Sequence, residues 1–91
     1  MKVILVNTSK GKYHVDLEFV AKHRANYYAG VDEVEIGSKE WQDEVDYVMN
    51  DNYEGKSWLE NNMNWRDFEE VAIKVKTEDE FWFKVDSIII I

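Results

Sequence analysis

Ninety-one residues can enclose one hydrophobic core but not two, so the chain reads as a single domain, 1–91. Its 45% apolar content, with 4 Trp, 5 Tyr and 4 Phe, suffices for that core, and the absence of Cys excludes disulfides, thiolate metal sites and a cysteine nucleophile. The formal net charge of −8 argues against direct contact with nucleic acid, whose phosphates must be neutralised by Lys and Arg.

Residues 2–8 form a β-rich run, with a strand expected over 2–7. One charge and four consecutive apolar residues, Val3 to Val6, are too few for a signal peptide or a membrane span, so a cytoplasmic location with no membrane contact is expected. Asn7-Thr8-Ser9-Lys10-Gly11-Lys12 is a turn-type cluster, after which Tyr13-His14-Val15 can return as a second strand or continue as loop.

From Asp16 the apolar period changes. Leu17, Val20, Ala21 and Tyr28 keep helical spacing, which predicts a helix over 17–29 with Asp16 as N-cap and Gly30 as a left-handed C-cap. Phe19, His23, Asn26 and Tyr27 give that helix a second apolar face, as expected of a largely buried helix or one that meets a partner.

Residues 31–60 hold ten carboxylates against two lysines, a local net charge of −8. Ser38 is a suitable N-cap for a helix over 39–50, in which Trp41, Val45, Val48 and Met49 share one stripe while Glu40, Asp43, Glu44 and Asp46 occupy the rest. Ser57-Trp58-Leu59-Glu60 has the Ser-x-x-Glu form of a capping box and predicts a short helical segment near 58–62, and Asn64 can cap one further turn through Phe68.

Residues 71–76 alternate apolar and polar and 81–85 are aromatic and β-branched, so both are expected strands joined by a hairpin over Thr77-Glu78-Asp79-Glu80. Residues 87–91 are a possible additional strand. Ile88, Ile89, Ile90 and Ile91 should be at least half buried, in the sheet or in a homodimer contact, because an exposed isoleucine edge invites pairing with other chains. The expected fold is therefore α+β, a small mainly antiparallel sheet packed against two or three helices. Its expected core is Ile4, Val6, Leu17, Val20, Ala21, Tyr28, Trp41, Val45, Val48, Leu59, Ile73, Val75, Trp82 and Val85.

Candidate chemistry is sparse. His14 and Asp16 alternate on one strand face and His23 follows Glu18, but two histidines among nineteen acids meet carboxylates by chance, and no cofactor is implied. The serines lack a nucleophile-elbow glycine pattern, and the four glycines form no phosphate loop. A metal-dependent hydrolase or nuclease built on Asp43, Asp46, Asp51 and Glu54, with Lys56 beside Glu54, is the alternative to a non-enzymatic role. The favoured reading is an acidic accessory protein that binds a basic protein surface, including as a nucleic-acid mimic or inhibitor. Its partner-binding residues would be Glu40, Asp43, Glu44, Asp46, Asp51 and Tyr53, with a polar patch at Asn61, Asn62 and Trp65.

Arg24-Ala25-Asn26-Tyr27-Tyr28-Ala29, followed by an acidic middle and then Asn61-Asn62-Met63-Asn64-Trp65, resembles small uncharacterised proteins of tailed phages, especially the cyanophage type. The resemblance covers about half of the chain and does not extend to the residues from Val71 onward. It implies a phage origin and a host cytoplasm as the working compartment, and no mechanism.

Overall fold

The computed structural model describes residues 2–8, 11–75 and 86–90. The fold is α+β. Two strands, β1 (Lys2–Thr8) and β2 (Gly11–Asp16), lead into four helices, α1 (Leu17–Asp32), α2 (Lys39–Met49), α3 (Asn52–Asn62) and α4 (Trp65–Phe68). Two further strands follow, β3 (Ile73–Lys74) and β4 (Asp86–Ile90). The sheet order is β3-β2-β1-β4. The β1/β2 and β2/β3 pairings are antiparallel, so Tyr13-His14-Val15 is strand and not loop, while β4 runs parallel to β1.

Because strand side chains alternate, β1 offers Ile4 and Val6 to one face, joined there by Val15 of β2 in register with Ile4. These three pack with Leu17, Val20, Ala21 and Ala25 of α1, Val45 and Val48 of α2, Trp58 and Leu59 of α3, and Phe68. Val3, Leu5 and His14 stand on the other face and are buried as well. The buried positions of α1 recur at helical spacing, and Asp16 caps its start by accepting from the Glu18 amide at 3.0 Å. Ser38 caps α2 in the same way, accepting from the Trp41 amide at 3.3 Å, and the stripe of Trp41, Val45 and Val48 faces inward as expected.

Several expectations need correction. Gly30 does not end α1; the helix continues to Asp32 and the left-handed residue is Glu33, at φ 58°, with the Val34 amide bonded to the Ala29 carbonyl at 3.0 Å. α3 opens at Asn52, not near Trp58, because the Asp51 carboxylate takes the Tyr53 amide at 3.2 Å and so caps an earlier turn. Ser57, expected as a cap, and the Glu54-Gly55-Lys56 triplet therefore lie inside a helix. Of the expected 71–76 strand, the described residues 71–75 give the two-residue edge strand β3, since Val71 and Ala72 still bond back to Phe68. Ile73, expected in the core, pairs with His14 on the far face and is 60% exposed. α1 is not buried all round, for Asn26 and Tyr27 are exposed. The expected 81–85 strand and 77–80 hairpin, with the core positions Trp82 and Val85, lie outside the described residues, as do the side chains of Ile88, Ile89 and Ile90 and the whole of Ile91.

Candidate functional site: an acidic strip and an aromatic groove

The expected partner-binding residues separate into three groups. The first runs along α2. Glu40 and Glu44, one turn apart, are followed at helical spacing by Tyr47, and the strip continues into Asp51 and Glu54 at the start of α3. Asp43 and Asp46 are exposed beside it. Asp43 pairs with Lys39 at 3.3 Å, and Asp46 accepts from Gln42 Nε2 at 2.9 Å. Asp51 caps α3, and Tyr53 is 72% exposed. The second group, Asn61 and Asn62, is at the end of α3, where Asn61 bonds back to the Ser57 carbonyl at 3.0 Å. Trp65, in α4, belongs elsewhere: its ring lies edge-on to Tyr13 at 4.9 Å and to Phe68 at 5.4 Å.

Residues that periodicity did not single out complete the strip. Arg24 projects from α1 and donates from Nη1 to Glu44 Oε2 at 2.7 Å. Its guanidinium carbon lies 4.8 Å from the ring centre of Tyr28 and 5.2 Å from that of Tyr47, so one cation is held by a carboxylate and two aromatic faces. The phenol of Tyr47 is raised above its ordinary value of 10.0, chiefly by the negative field of Glu54. Desolvation, a hydrogen bond to Glu54 and the charge of Asp51 add to that effect, and Arg24 opposes it.

Beside Arg24 a groove of about 290 Å³ runs between α1 and α3, lined by Tyr27 and Tyr28 on one side and Glu54, Ser57, Trp58 and Asn62 on the other. Tyr27, Tyr28 and Trp58 pack mutually, with ring centres 5.3, 5.5 and 5.7 Å apart. Trp58 is fixed beneath them because its indole N–H donates to His23 Nδ1 at 2.9 Å. α3 can approach α1 this closely because Gly55 has no side chain; a methyl there would run into Leu17 Cδ1 and stand 3.2 Å from Val48 Cγ1.

Among the described residues, no three His, Asp or Glu side chains converge as a metal site requires. The acids of the hydrolase alternative are engaged one by one: Asp43 by Lys39, Asp46 by Gln42, Asp51 by the α3 amides and Glu54 by Tyr47. Asp16, the expected neighbour of His14 on one strand face, is committed to capping α1, while His14 is buried. Among the described residues no helix is long and apolar enough to cross a membrane. No known protein-family model, curated protein or solved structure matches the chain.

Proposed function

We propose that the protein acts without catalysis, as an acidic accessory protein whose α2 strip binds a basic protein surface. The observation that carries this reading is the row Glu40, Glu44, Tyr47, Asp51 and Glu54, along which Arg24 is already held by Glu44. Exposed tyrosines between carboxylates suit a protein partner, because Tyr contributes contact area at small entropic cost while the acids steer and orient a basic surface. Imitation of a phosphate row is less well supported, since Tyr47 and the buried end of Arg24 interrupt the sequence of negative charges. The resemblance of two short segments to tailed-phage proteins favours a phage origin and action in the host cytoplasm.

Attraction between exposed charges is screened beyond about 8 Å at physiological ionic strength. In a pull-down across a salt series, wild type should therefore retain a basic partner at low salt and lose it as salt rises. A Glu40→Gln, Asp43→Asn, Asp46→Asn variant, which leaves the Glu44 bond to Arg24 intact, should fold and lose that partner at every salt concentration. Recovery of the same partner by both proteins would refute the role of the strip.

A further inference from the structure

We propose that the groove between α1 and α3 is a receptor for one arginine side chain of the basic partner, stacked on Tyr27 and forked onto Glu54 and Asn62. This rests on the reading of the α2 strip as a surface for a basic protein and specifies what that surface grips.

Three features of the groove point to a guanidinium. Its open wall is the ring of Tyr27, which is 56% exposed although two other rings back it. A flat cation laid on that face would gain cation–π attraction while the Tyr28 and Trp58 rings behind keep the platform rigid. Opposite the ring stand acceptors. Glu54 lines the groove beside Tyr47, and a carboxylate can accept about four hydrogen bonds, so it has the capacity for a forked donor. Asn62 lines the same groove and is exposed, and its side-chain amide can turn its oxygen to a donor.

The same chemistry is already realised a few ångströms away. Arg24 is held by two tyrosine faces and one carboxylate, with only 14% of its side chain exposed. It also lines the groove, and Glu44 pairs with it, so it repels a second guanidinium less than a free charge would. An ammonium group suits the groove less well, because a point charge cannot both lie flat on a ring and fork between two acceptors.

The test titrates the protein with short capped oligo-arginine and oligo-lysine peptides of equal length, following the indole N–H resonances. Wild type should bind the arginine peptide about threefold or more tighter than the lysine peptide, the scale of one exposed cation–π contact. The Trp58 resonance should move and that of Trp41 should not. Tyr27→Leu should bring the two peptides to parity while leaving the salt dependence of binding in place, and Glu54→Gln should remove the arginine preference and also weaken both peptides, because Glu54 is itself a charge of the strip. The Glu40→Gln, Asp43→Asn, Asp46→Asn variant should instead weaken both peptides alike. Equal affinity of wild type for the two peptides, or an arginine preference that survives both groove substitutions, would overturn the receptor and leave the strip standing. Failure of both peptides to bind would overturn the receptor and the strip together.

Discussion

The two long sides of α1 are built from opposite chemistries. Toward the sheet and α2 it presents Leu17, Val20, Ala21, Ala25 and Ala29, small or aliphatic side chains that are at most 6% exposed. Toward α3 and the side of α2 that carries Glu44 and Tyr47 it presents His23, Arg24, Tyr27 and Tyr28, each committed to a directional partner or a ring contact. The aliphatic side is governed by shape, where a single carbon out of place is felt by every neighbour. The polar side is governed by direction, where single contacts are weak because water can replace them. The difference separates stability from recognition: the first side should hold the fold and the second should tolerate change with loss of binding only.

The comparison breaks most sharply at Leu17. Leu17→Ala should destabilise by about 2–5 kcal/mol in urea unfolding. Gly55→Ala should cost about 1–3 kcal/mol through overpacking against that same side chain, despite the roughly 1 kcal/mol by which Ala favours a helix over Gly. Combined, the two should be less harmful than their sum, because the new methyl occupies the space that Leu17 vacates. Strict additivity would mean that the close approach of α3 does not depend on Leu17.

On the polar side effects should shrink. Trp58→Phe keeps a ring but removes the donor to His23 and should cost about 1 kcal/mol, with the loss of the shifted indole N–H resonance identifying the bond. Glu44→Gln should cost under about 1 kcal/mol, since 47% of the Glu44 side chain is exposed, and Asp43→Asn, whose partner Lys39 is 89% exposed, should cost nothing measurable. The smallest change is spectroscopic. In an absorbance titration Glu54→Gln should bring the Tyr47 phenol down toward 10.0, because the first cause of its upward displacement is removed.

What could be read in the sequence follows the same division. Helix starts were legible where a cap and an apolar stripe coincide, at Asp16 with Leu17 and at Ser38 with Trp41. α3 was misread because Gly55 looks like a breaker, whereas packing against Leu17 makes it the residue that fits. A signal was present in Asp51 and Glu54, a cap residue followed three positions later by Glu. Ile73 was misplaced because alternation fixes which residues share a face but not whether an edge strand is covered. The acids of α2 were visible as a group, but the groove was not. It depends on Arg24 with Glu44 and His23 with Trp58, pairs 20 and 35 residues apart that no local period encodes.

The placing of β1 inside the sheet bears on how the molecule is made. Its neighbour on one side, β2, follows immediately, but on the other side Lys2 lies opposite Asp86. A chain emerging from the ribosome at about 5–20 residues per second therefore carries an apolar strand with one open edge for several seconds. During that interval the growing chain would be most open to strand exchange with its neighbours, and most responsive to a chaperone that covers extended segments. Closure of the β1/β4 ladder spans nearly all of the sequence and should be the slow step of refolding, later than the local assembly of α1, α2 and α3.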